Sequence, residues 1–444
     1  MTKNSGNTDI ILSRTMRVTC TDQDSNVLLV GESGPGISSY IASNILQAHE
    51  VYVAADPGGA LYRQYGGFLK NMGYRVRCLD LINPAEGDRY NPFRYIRNDE
   101  DIIKIAEILI SEAGGTLKPP TILEKQARPL LEALIAYVQY HVPEDKRTFL
   151  SVIELLRKCE EKTSEGTSAL DRAFEEAEKT APESFAVNRY KYFKTEVNNI
   201  ENKRWEKSML LSCAVLLQIF TFFDIEKLIT TDDIGLDSLW DKKTALFITT
   251  PIENNVFNAI AKILYSQLFD IIDRYCCSST DSVRVAEVHN GIRPLPIYTK
   301  IFLDSRSGLP CLDGVLFKNG KRRLSVSVAV RDSKQIKGTC GRIWEEISEV
   351  FDTMIFLSDG RSEKRSFITL AFGDRRIPSH SNGTPDSEDD RSRWVDEMFC
   401  GLAEDECLIA VFTQGVGTAR KDRRYVVSEH PNWSIAEQSM REGN

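Results

Sequence analysis

Residues 31–38 read Gly-Glu-Ser-Gly-Pro-Gly-Ile-Ser. The frame is that of a phosphate-binding turn, G-x-x-x-x-G-K-[ST], with isoleucine where the lysine belongs. In an intact turn, backbone N–H groups and a helix N-terminus cradle phosphate. The lysine bonds the terminal phosphates, and the hydroxyl holds a magnesium ion. Gly31, Ser33, Gly34, Gly36, Ser38 and Ser39 remain as candidate nucleotide contacts, and Ser38 keeps the metal-binding hydroxyl. Ile37 offers neither charge nor donor, and Pro35 removes one backbone N–H. On these residues alone, a ligand-free glycine turn and a weakened nucleotide cradle both stand.

The neighbouring segments are those such a turn needs. Residues 26–30 (NVLLV) form a short apolar run, which reads as a buried strand. Residues 38–47 follow with helical spacing, then a strand at 51–55 (VYVAA), a helix at 61–72 and a strand at 74–81. This alternation predicts right-handed crossovers and a parallel sheet. Residues 99–227 are charge-rich with helical stripes, for example Leu130, Leu131, Leu134, Ile135 and Val138. Within them, 160–183 is acidic and reads as solvated. Strand-like runs return at 244–249, 298–303, 324–330, 353–357 and 406–412, with a long helix at 258–275 between the first two. The tail after Arg424 reads as irregular.

Composition excludes several classes. The 444 residues carry a net charge of −8, so a chain-wide basic surface for nucleic acid is excluded, although a local basic lining is not. The ten cysteines form no C-x-x-C, which removes support for zinc or thiol–disulfide chemistry. No run approaches the ~20 apolar residues of a membrane span, and the N-terminus lacks a signal-peptide core. The expected location is cytoplasmic, with any membrane association made through partners.

Blocks spread along the chain carry a family resemblance. They include NVLLVGESGPGIS (26–38), ADPGGALY (55–62), YNPFRYIRNDED (90–101), KTALFITTP (243–251), IFLD (301–304) and FDTMIFLSDG (351–360). In order and spacing the sequence resembles the TraG-like coupling proteins of type IV secretion and conjugation. The resemblance implies an α/β fold: a RecA-like P-loop NTPase domain with a mostly parallel twisted sheet, residues 1–97 and 235–444. An all-helical domain, 98–234, is inserted in it. It also implies ATP and Mg²⁺ as ligands, a DNA or relaxase–DNA cargo, secretion-channel partners, and homo- or hetero-hexameric rings.

Against that family the chain departs at the positions that do chemistry. The phosphate-loop lysine is Ile37, and a second-strand Asp-Pro-Lys-Gly is Asp56-Pro57-Gly58-Gly59. Asp304 matches a metal-supporting aspartate, but the catalytic glutamate after it is Ser305, which cannot act as general base at neutral pH. The γ-phosphate-sensing glutamine is Arg331, whereas Arg322 matches an arginine that reaches a neighbouring subunit's nucleotide. The expectation is a folded, catalytically silent paralogue. Its alternatives are an active DNA translocase that uses another lysine, with Lys300 and Lys321 nearest, and a decayed remnant. Restoring Ile37→Lys with Ser305→Glu is expected to raise nucleotide affinity.

Overall fold

In the computed structural model, residues 25–30 form β3 (Ser25–Val30), a strand buried along its whole length. The structure describes residues 9–19, 25–31, 35–113, 122, 126–161, 167–199, 203–252, 256–277, 294–310, 312–316, 322–331, 350–357, 402–413 and 416–442. A strand apolar on both faces must be covered on both faces, and this is the signature of a central parallel strand. β3 pairs in parallel with β8 (Leu324–Val330) on one side and β9 (Thr353–Leu357) on the other.

Those strands belong to a nine-stranded sheet of order β11-β10-β9-β3-β8-β7-β4-β6-β5. Its other members are β4 (Val51–Pro57), β5 (Arg75–Asp80), β6 (Thr244–Thr250), β7 (Thr299–Asp304), β10 (Glu406–Thr413) and β11 (Val416–Arg423). The β7–β8 and β4–β7 pairs are parallel, whereas β10 is antiparallel to both β9 and β11. Helix α1 (Pro35–Ile45) follows β3, and α2 (Ala60–Asn71) follows β4. Asn44 ties α1 to the short strand β1 (Asp9–Ile11), exchanging side-chain bonds with the Ile11 N–H and C=O at 3.0 Å each.

The chain divides into two compact units: Met1–Cys78 with Leu236–Thr249 and Leu268–Asn444, and Leu79–Gly235 with Thr250–Gln267. The second unit is helical, and it takes in more chain than residues 98–234. The physical reason is aromatic. Phe93 meets Phe149 edge-on, the Tyr95 hydroxyl donates to Asp232 at 2.6 Å, and the Tyr90 hydroxyl donates to Gln267 at 2.6 Å. Within this unit Glu132, 1% exposed, is clasped by Arg128 and Arg189 at 2.8 Å each. The acidic stretch read as solvated contains a helix, Ala169–Thr180, which buries Leu170, Phe174 and Ala177. A Ser168–Asp171 capping box starts it.

The tail from Tyr425 to Glu442 has regular structure. It carries a helix, Trp433–Glu442, that buries Ala436 and Ser439 and packs on α2. The two ends of the first unit are sewn together. The Asp422 carboxylate accepts bonds from the Ser13 and Thr15 hydroxyls, and Arg14 pairs with Glu429 at 2.7 Å. In this clasp His430 Nδ1 accepts the Asn432 N–H at 3.1 Å. Burial, with the charge of Arg17 adding to it, holds the His430 imidazole down to about 4. Between that value and the unfolded value near ~6.5 the unfolded chain binds the extra proton. Stability is therefore expected to fall as pH drops from ~6.5 to ~4, and to be flat above this window. Urea midpoints measured across the window check this, with His430→Gln reducing the slope; His141, which burial also lowers, supplies the remainder with the same sign.

Candidate functional site

Strand register gathers the chemistry-bearing residues at the carboxyl edge of the sheet. The Gly31 N–H donates to the Val330 C=O at 2.9 Å, so the glycine turn leaves β3 alongside Arg331. Asp304 pairs with Ala329 on the other side of β8. The turn and Asp304 thus lie about two strand spacings, roughly 10 Å, apart. This is the edge at which open α/β sheets bind ligands.

Ile37 does not face that edge as an open side chain. It is 3% exposed and belongs to the apolar cluster that includes Ile41, Leu29, Ile355 and Leu357. Ser38 is exposed and Ser39 half-buried on the first turns of α1. Ser33 and Gly34 lie outside the described residues. Leu357 closes on both glycines. A Cβ at Gly31 would stand 2.9 Å from Leu357 Cβ, and one at Gly36 would stand 3.0 Å from Leu357 Cδ1. The Gly36 position also faces the guanidinium of Arg424, 3.1 Å from Nη1. The hollow lined by Gly36, Ser39, Tyr40, Leu357, Arg424 and Tyr425 holds only about 10 Å³. That is room for a single water at most. The glycines at 31 and 36 therefore serve close approach of β9 and the end of β11, and on that side of Gly36 Leu357 and Arg424 fill the space.

The two acids of the edge are also engaged. Asp56, 1% exposed, accepts the Leu61 N–H at 3.0 Å and the Tyr62 N–H at 2.8 Å, and so caps α2. Burial raises its carboxyl above the usual value, with the Tyr62 and Leu61 bonds acting against this. The lost lysine of the next turn corresponds to Gly58, whose φ of 85° is the left-handed region that a lysine would enter only with strain. Asp304, 3% exposed, caps the 3-10 turn Ser305–Ser307. Its Oδ1 accepts the Arg306 N–H at 2.9 Å and Nε at 3.0 Å, and its Oδ2 accepts Nη2 at 2.7 Å and Nε at 3.2 Å. No cluster of three metal-ligating side chains occurs among the described residues. The donor set present does not fit a magnesium ion, because the one aspartate positioned for it is closed by its own chain.

The cationic candidates fare similarly. Lys300 is 1% exposed at the amino end of β7, with Nζ 3.2 Å from Glu50 Oε1 and 2.7 Å from the Asp9 C=O. It sits four residues before Asp304, roughly 13 Å along the strand, and so cannot replace the missing loop lysine. Lys321 lies outside the described residues. Arg322 is 3% exposed and donates to the Val315 C=O at 2.7 Å within its own chain. That burial places it inside the subunit rather than at a surface from which it could reach a neighbour. Arg331 is exposed at the end of β8.

Arg306 and Arg424 are the residues that the sequence reading missed. Arg306 carried a usable signal: an arginine two residues after a strand-terminal aspartate closes naturally onto it in a 3-10 turn. Arg424 carried none, because its place depends on a sheet edge formed by β10 and β11.

No helix among the described residues is long and apolar enough to cross a membrane. A search of curated protein sequences gave no match. Solved structures with the same fold include the bacterial conjugative coupling protein TrwBdeltaN70 in an unbound form. It has a TM-score of 0.55 at 14% identity, covering 93% of this chain and 86% of that one. The plasmid coupling protein TrwB in complex with ADP and Mg²⁺ gives 0.54 at 13%, covering 93% and 87%. VirB4 of Thermoanaerobacter pseudethanolicus gives 0.52 at 13%, covering 95% and 97%. These likenesses fix the fold as RecA-like, of the P-loop NTPase kind. The sequence model for type IV secretory system conjugative DNA transfer matches residues 4–281, well over half of the chain. The protein is a member of that conjugative DNA transfer family.

Proposed function

We propose that the chain is a catalytically silent coupling-protein paralogue that acts by binding and assembly. The observation that carries the reading is Ile37. At the position where the family's turn needs a cation, the chain has an apolar side chain packed into its core. Ser305 in place of a general base and the closure of Asp304 by Arg306 support it. Nucleotide and Mg²⁺ binding are correspondingly weakened. The sheet and its packing remain intact, which is what a subunit needs if it serves as a surface rather than a motor. Its partners in this reading are DNA or a relaxase–DNA complex, channel proteins of the secretion machine, and copies of itself or of an active coupling protein in a ring. It works at the cytoplasmic side of the membrane, held there through those partners.

The test is phosphate release by the purified chain, with and without single- and double-stranded DNA. The expected result is no turnover above a protein-free blank. Turnover comparable with an active family member, lost on Asp304→Asn, sinks the reading.

A further inference from the structure

We infer that Arg306 excludes a divalent cation from Asp304, so that a guanidinium of the same chain permanently holds the place a metal would need. The inference rests on the reading that this edge descends from a nucleotide site. It concerns only the metal. An ionised carboxylate offers about four lone-pair directions. Three N–H donors of Arg306 engage Asp304, the backbone N–H on Oδ1, Nη2 on Oδ2 and Nε shared between the two oxygens, and among the described residues no other donor reaches it. A directly bound ion needs one of those lone pairs. An ion held through its own water needs one as well, because that water must donate to the carboxylate.

The arginine is well placed to keep them. Arg306 and Asp304 side chains are only 18% and 4% exposed, so water competes weakly for either. Its planar fork matches the carboxylate, and the backbone N–H of the same residue joins it. One local turn therefore sets the whole arrangement, and Gly308, at φ 75°, lets the chain leave that turn at once. On the adjacent strand each Asp56 oxygen accepts one N–H from the start of α2, so that carboxylate is held to the helix.

Manganese(II) tests this directly, because bound Mn²⁺ disappears from the solution electron-spin spectrum. The full-length chain is titrated with Mn²⁺, with and without ADP, and compared with Asp304→Asn. The expected result is equal uptake by the two proteins. Uptake by the wild type that exceeds the Asn variant by one equivalent overturns the inference. Arg306→Gln is expected to gain one equivalent over the Arg306→Gln/Asp304→Asn double variant. No gain in a folded variant also overturns it. Circular dichroism identifies the folded variants, and Arg306→Lys, which keeps charge but loses the fork, replaces a Gln variant that does not fold. The outcomes separate from those of the proposed function. Phosphate release that survives Asp304→Asn sinks that reading and leaves this inference standing, whereas Asp304-dependent Mn²⁺ uptake without turnover overturns this inference alone.

Discussion

Replacing Lys300 with alanine is expected to cost about 3–5 kcal/mol, the penalty for leaving a buried charge uncompensated. Lys300 is 1% exposed, and Glu50, its partner at 3.2 Å, is 0% exposed. The Glu50 carboxylate also accepts the Tyr52 hydroxyl, whose own ionisation burial pushes far up. The Tyr74 hydroxyl holds the Glu50 C=O at 2.8 Å. Lys300 further reaches the Asp9 C=O at 2.7 Å and so pins β1. Truncation removes the cation paired with Glu50 while leaving the acid inside. Urea midpoints measure the loss. The double change Lys300→Met with Glu50→Gln is expected to recover most of it, since it removes both buried charges and leaves an amide oxygen to accept the Tyr52 hydroxyl. An alanine variant as stable as the parent shows that water already reaches Glu50, and the account fails.

Ile37→Lys is the second large effect, and its expected sign opposes what the family resemblance suggests. Withdrawing a buried isoleucine forfeits about 1.5–3 kcal/mol of apolar burial. The ammonium must then either stay in an apolar cluster or bend its stem out to solvent. A total of about 3 kcal/mol follows, even with Ser305→Glu added. ADP affinity is expected not to rise, because Leu357 and Arg424 stand against Gly36 whatever residue 37 is. Isothermal titration with ADP and a urea midpoint together decide it. Tighter ADP binding at unchanged stability means that residue 37 can face the turn, and the silent-paralogue reading loses its basis.

The fold was legible where burial is two-sided. The runs at 26–30, 51–55, 244–249, 324–330 and 353–357 are mostly apolar, with Ser325 and Ser327 alternating through the fourth, and the structure places them in one sheet. The hairpin of β1 and β2 (Arg17–Thr19) was not legible, because three-residue strands carry too little periodicity. Helix Trp433–Glu442 was missed for a related reason. Its buried positions, Ala436 and Ser439, are small, and Trp433 and Met440, which pack against the same core, are only partly buried. At the site, residue types told which chemistry was missing. They could not tell what fills the space. That Leu357 covers Gly31 depends on β3 and β9 lying side by side across more than 300 residues of sequence. That Arg322 is internal depends on the Val315 carbonyl it meets.

The same pairing has a consequence for synthesis. Both neighbours of β3 are made roughly 300 residues after it, and at about 5–20 residues per second this interval is on the order of 15–60 s. Throughout it, a largely apolar ribbon, Val27–Val30, waits without the strands that pair with its two edges in the sheet. Such a nascent segment invites chaperone capture, and the rate of translation across residues 31–323 sets how long it must be shielded.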